Sequence, residues 1–183
     1  MKIQLNYDYH PEDPRECMGY QLFSGYRRIE GDINAEGGHE SLEAEFEARV
    51  KDAISVPVYI YIHSGMTVRT YPFECPWDSA QLGYLFLTRK DARDMFGWKR
   101  ITRKREEWLE ERLRDFVNNE WDDYIRGECY MLQVDREDGD MIDHHPITGT
   151  DIRKAEEWVS GEGITPEALQ EAADNMGEWV TVS

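Results

Sequence analysis

Residues 56–88, VPVYIYIHSGMTVRTYPFECPWDSAQLGYLFLT, decide how the chain is read. Val58, Ile60 and Ile62 share one face of an extended chain and Tyr59 and Tyr61 the other, because strand side chains alternate with period two. His63-Ser64-Gly65 follows as a hairpin connection, in which Gly65 is expected to take the positive φ of a tight turn. Met66, Val68 and Thr70 return along one face. Pro72 and Pro76 lack an amide donor and fix φ, so they end the ladder and enclose Phe73-Glu74-Cys75. After Trp77-Asp78-Ser79 a further strand is expected over Gly83–Leu87. These signals predict an α+β fold with an antiparallel sheet built on the 56–72 hairpin. A long amphipathic helix over about 102–126 and acidic C-terminal helices should cover that sheet.

At 183 residues, 40% hydrophobic and with six Trp, ten Tyr and six Phe, the chain can bury a core of its own, and one domain over 1–183 is expected. Cys17, Cys75 and Cys129 are odd in number and contain no C-x-x-C pair, which points away from a disulfide framework or zinc knuckle and towards a reducing cytoplasm. No signal-peptide core and no run of 18 apolar residues occurs, so neither export nor a membrane span is expected.

Net charge is −17. Residues 89–105 hold eight basic and two acidic residues, a net +6, and residues 106–183 hold six basic and 22 acidic ones, a net −16. Such a field repels nucleic-acid backbones and anionic membranes, so direct nucleic-acid binding is not expected. Solubility in salt would account for the same excess without any partner.

In chain order, Ile3, Leu5, Tyr7 and Tyr9 alternate over residues 2–9 as a half-buried strand. A second strand is expected over about 18–29, broken at Ser24-Gly25, and then loop from Gly31 to Gly38. A helix over about 40–54 carries Leu42, Phe46, Val50 and Ile54 on one side. Thr88-Arg89-Lys90-Asp91 has the form of a capping box opening a short helix that Gly97 closes. The long helix buries Leu109, Leu113, Phe116, Val117, Trp121, Tyr124 and Ile125 and stops at Gly127. Residues 128–135 form a strand, Glu137-Asp138-Gly139 a turn to a partner near Met141-Ile142. Two helices follow, over 151–160 and from Thr165-Pro166-Glu167, and 179–182 closes the chain as an edge strand.

Three clusters are candidates for chemistry or binding. His63, Cys75 and Asp78 are the residue types of a thiol nucleophile, its base and an orienting carboxylate, although Cys also serves as apolar filler and turn His as a hydrogen-bonding group. Arg100, Arg103 and Lys104 could hold an anion, but positive residues in a first helical turn oppose the helix dipole and would more readily pair internally, Arg103 with Glu107 at i+4. Glu107, Glu111, Asp115, Asp122 and Asp123, with Glu156, Glu157 and Glu171, could form a partner-binding face if they converge. Carboxylates four residues apart rise ~6 Å along a helix against one duplex charge per ~1.7 Å, so one helix alone is too dilute to imitate DNA. Asp140, Asp143, His144 and His145 suit a first-row ion, but neighbours on a strand point to opposite faces, and no metal site is predicted. The zincin, P-loop and dinucleotide signatures are missing, and no cofactor is predicted.

His63-Ser64-Gly65, Pro72-Phe73-Glu74-Cys75-Pro76-Trp77-Asp78-Ser79, Gln81 and Gly83-Tyr84, continuing through Lys99-Arg100-Ile101 to Gly127 and Tyr130, resemble a family of small uncharacterised proteins of phages and other mobile elements. The chain departs from that pattern at Ile62, where relatives tend to be acidic. With the acidic surface, the resemblance implies a non-enzymatic accessory protein of the host-cell cytoplasm. It would bind and inhibit a host nucleic-acid-handling defence protein with a basic groove, in the manner of an anti-restriction or anti-CRISPR DNA mimic. The alternative is a small cysteine- and histidine-dependent hydrolase or nuclease.

Overall fold

The computed structural model describes residues 1–136, 142–154 and 163–182. In chain order it contains β1 (Lys2–Tyr7), α1 (Pro14–Met18), β2 (Gln21–Ser24), β3 (Ile33–Asn34), α2 (Leu42–Arg49), β4 (Ala53–Ile62), β5 (Met66–Arg69) and β6 (Ser79–Thr88). Then follow α3 (Arg89–Phe96), α4 (Arg103–Phe116), a π-helical turn (Val117–Trp121), α5 (Asp122–Arg126), β7 (Cys129–Asp135), β8 (Asp143–Thr148), α6 (Gly149–Arg153), α7 (Pro166–Asp174) and β9 (Val180–Thr181). Mixed helices and largely antiparallel strands make the protein α+β. Where one domain was expected over 1–183, the chain clusters into two compact units, Asp13–Arg126 and Met1–Glu12 with Gly127–Ser183.

The Asp13–Arg126 unit holds a five-stranded sheet in the order β3-β2-β6-β4-β5, antiparallel except for β2 with β3. Alternation in β4 buries Ile54, Val56, Val58 and Ile60, which pack with Leu85 and Leu87 of β6 against Leu109, Leu113 and Phe116 of α4. Burying each such side chain contributes about 1.5–3 kcal/mol. The opposite face carries a smaller core in which Phe23, Phe86 and Leu42 meet Phe46 of α2, whose ring stacks on Tyr84 at 4.3 Å. Gly83, central in β6, is there because β2 runs too close for a side chain: a Cβ would fall inside the Phe23 carbonyl group.

The Met1–Glu12 and Gly127–Ser183 unit holds an antiparallel four-stranded sheet in the order β8-β7-β1-β9. Ile3 and Leu5 of β1, Leu132 and Val134 of β7 and Ile147 of β8 pack on Leu169 and Ala172 of α7. Thr165 caps α7 by accepting from the Ala168 amide, and Pro166 stands at its first turn, as the Thr-Pro-Glu signal predicts. Pro146 blunts the edge strand β8, where a missing amide costs no ladder bond.

Several expectations are corrected. The helix expected over 40–54 is a 3₁₀ turn at Gly38–Ser41 and then α2, which stops at Arg49; Ile54 belongs to β4, entered through a left-handed Asp52 at φ 53°. Apolar i+4 spacing continued across a helix end into a strand. Gly65 does not take a positive φ. Strand two is only four residues long, Met18 lies in α1, and Tyr7 and Tyr9 are exposed. In place of one helix over 102–126, five residues from Val117 adopt the wider π turn between α4 and α5. The C-terminal helices α6 and α7 lie in the unit of the other sheet, so α7 covers β1, β7 and β8 rather than the hairpin sheet. The turn at 137–139, the partner at 141 and most of the 151–160 helix lie outside the described residues.

Candidate functional site

The segment between β5 and β6 is a surface loop fastened at many points. Arg69 donates to the carbonyls of Tyr71 and Pro72, and its guanidinium lies 4.1 and 3.8 Å from the centres of the Tyr71 and Phe73 rings. Phe73 also contacts Tyr61 at 5.5 Å. The Ser79 hydroxyl donates to the Cys75 carbonyl, and the Ile62 amide to the Asp78 carbonyl at 2.8 Å. Trp77 projects from this frame 90% exposed. A cleft of about 230 Å³ opens beside it, lined also by Tyr26, Ile60, Ile62 and Ala80.

His63, Cys75 and Asp78 do meet. One oxygen, Asp78 Oδ2, stands 3.4 Å from His63 Nδ1 and 3.7 Å from Cys75 Sγ, which donates to it. The order is therefore thiol, carboxylate, imidazole, with the carboxylate in the middle. A nucleophilic thiol needs the imidazole itself as proton acceptor, with the carboxylate behind it. Here Asp78 joins the hairpin connection to the loop, and the three side chains form a brace.

The predicted partner-binding acids separate into groups. Glu107, Glu111 and Asp115 are exposed along α4 at i, i+4 and i+8. Glu107 accepts from Arg103 at 2.9 Å, as expected, and Asp115 from Asn119 at 2.8 Å. Asp122 and Asp123 are corrections. Asp123 is fully buried, and Asp122 accepts from the Thr67 hydroxyl and the Val68 amide, so neither faces a partner. Helical periodicity placed them on the wrong side because the π turn rotates the helix after Phe116. Glu171 is exposed on α7 in the other unit, and Glu156 and Glu157 lie outside the described residues.

The basic island is largely balanced within the chain: Arg89 pairs with Glu106 and Asp52, Lys90 with Asp94 at 3.3 Å, and Arg103 with Glu107. Arg105 lies 4.5 Å from the Trp98 ring centre and donates to the Arg100 carbonyl. Arg100 and Lys104 are exposed. Of the ion-site candidates, Asp143 is held by Arg136 at 3.2 Å, and among the described residues no group of three or more His, Cys, Asp or Glu could hold a metal ion.

Trp77 drew no notice as a site residue, and neither did Asn118, whose Oδ1 accepts the Thr70 amide at 2.9 Å. Proline on both sides of Trp77 was the one available signal for the first; nothing in the sequence marks the second. Among the described residues no helix is long and apolar enough to cross a membrane. Compared with family models, with curated proteins and with solved structures, the chain matches none.

Proposed function

We infer that the protein is a non-enzymatic accessory protein that binds a host nucleic-acid-handling defence protein through carboxylates, in the host cytoplasm, as an anti-restriction or anti-CRISPR factor of a phage or mobile element. The supporting observation is the exposed row Glu107, Glu111 and Asp115 on a chain of net charge −17. A basic groove evolved for phosphates attracts such a surface and is occupied by it. The row alone is sparser than duplex phosphate, so it serves as one part of a larger acidic contact. The brace at Asp78 supports the non-enzymatic half of the reading, because it gives Cys75 a carboxylate where a nucleophile would have an imidazole.

The test is phage plating on a host carrying a restriction or CRISPR system, with the chain expressed from a plasmid. Wild type should restore plating, and Glu107→Lys with Glu111→Lys and Asp115→Lys should lose most of the effect. Equal restoration by the charge-reversed protein would sink the reading. The second reading, a cysteine- and histidine-dependent hydrolase, is favoured only by the proximity of His63, Cys75 and Asp78 and is tested by the alkylation experiment below.

A further inference from the structure

Trp77 contributes to none of the three hydrophobic cores, and none of the contacts that fasten its loop passes through its side chain. The loop is rigid without it. A large aromatic side chain held in water on a frame already ordered is the arrangement that makes an interface anchor, since Trp is enriched at binding hot spots and pre-ordering removes part of the cost of association. Tyr71 and Met66, 55% and 40% exposed, extend the apolar surface nearby on the same hairpin and loop.

The cleft that Trp77 lines, about 230 Å³, is smaller than the ~300–1,000 Å³ of small-molecule sites, which suits one inserted side chain better than a whole ligand. Its apolar lining, Ile60, Ile62 and Ala80, asks for an aliphatic group. Its charges are Arg28 and Asp78, which offset one another, while Glu74 stands exposed in the same loop and the chain as a whole is strongly acidic. The neighbours of the inserted group should therefore be basic. We propose that Trp77 and its cleft dock an aliphatic side chain presented by an arginine-rich segment of a protein partner. This rests on the reading of that partner as basic, and it moves the anchor of the contact from the acids of α4 to the β5–β6 loop.

The full-length ¹⁵N-labelled protein is titrated with a blocked peptide of alternating arginine and leucine and, separately, with hexalysine. The arginine–leucine peptide should shift the Trp77 indole N–H and the Ala80 amide saturably. Trp77→Ala, with an unchanged Tm, should weaken that peptide at least tenfold, while hexalysine leaves both signals in place. If the peptide binds with Trp77→Ala as it does with wild type, or if hexalysine moves the same signals equally, the anchor is wrong. The acidic reading then still stands, provided the Lys variant of Glu107, Glu111 and Asp115 binds hexalysine more weakly. If neither peptide binds wild type, or both bind wild type and the Lys variant alike, the docking of a basic partner falls with the anchor.

Discussion

Asp122 Oδ1 accepts the Val68 amide at 2.8 Å and, from the same oxygen, the Thr67 hydroxyl at 2.6 Å. Val68 and Thr70 point their amides to the outer side of β5, the edge of the five-stranded sheet. Asn118 takes the second of these amides, so two side chains four residues apart on the π turn and α5 satisfy an edge that would otherwise template pairing with another chain. The π turn has a purpose in this: it lets Val117 and Trp121 stay in the core while Asn118 and Asp122 reach the strand.

Asp122→Ala should therefore destabilise the protein by about 2–3 kcal/mol, because hydrogen bonds to a charged acceptor are lost and a backbone donor loses its partner. Urea denaturation measures the loss, and amide exchange should be accelerated at Val68 specifically. A stability within 0.5 kcal/mol of wild type, a flagged allowance of roughly the size seen for neutral surface changes, would show that the edge does not need this cap.

Two glycines give opposite expectations. Gly83→Ala puts a methyl group into the Phe23 carbonyl and requires β2 and β6 to separate, so a loss of about 3 kcal/mol or more, or failure to fold, is expected. Gly65→Ala meets nothing within 4 Å and sits at a backbone conformation open to any residue, so it should change stability by no more than about 0.5 kcal/mol in either direction. Thermal melts of the two variants read the contrast.

The Glu45 carboxylate accepts from the Ser41 hydroxyl and from the amides of Glu36 and Gly37, with Arg49 nearby, and these hold its pKa at about 2 against an ordinary 4.5. A folded-state value below the unfolded one means that the carboxylate stabilises the fold in full above about pH 4.5, and that this contribution is lost as pH falls towards about 2. Tm measured from pH 7 to 2 should fall less steeply in that window for Glu45→Gln than for wild type. Parallel curves would refute the linkage.

Exposed Cys17 should be alkylated by iodoacetamide before Cys75, whose thiol is engaged with Asp78. His63→Ala should leave the Cys75 rate within about twofold, since the imidazole meets the carboxylate and not the sulfur in the brace. A Cys75 that reacts faster than Cys17 and slows at least tenfold in His63→Ala would establish the hydrolase reading in place of the binding one.

What the residues determine by themselves is local. Period-two alternation fixes β4 and β1, the Thr88 and Thr165 caps and the glycines at 97 and 127 fix helix ends, and the i+4 relation of Arg103 to Glu107 fixes their pair, because each depends only on a few neighbouring positions. The grouping of His63, Cys75 and Asp78 was legible for the same reason, since a hairpin and a short loop bring its ends together. Which of the three stands in the middle was not, because that depends on side-chain directions set by the braces through Arg69, Ser79 and Ile62. Tertiary structure alone decided that Asp122 and Asp123 turn inward while Glu107, Glu111 and Asp115 stay in solvent. Charge and spacing are alike in both groups; the difference lies in a π turn and in a strand edge 54 residues away in sequence that needed an acceptor.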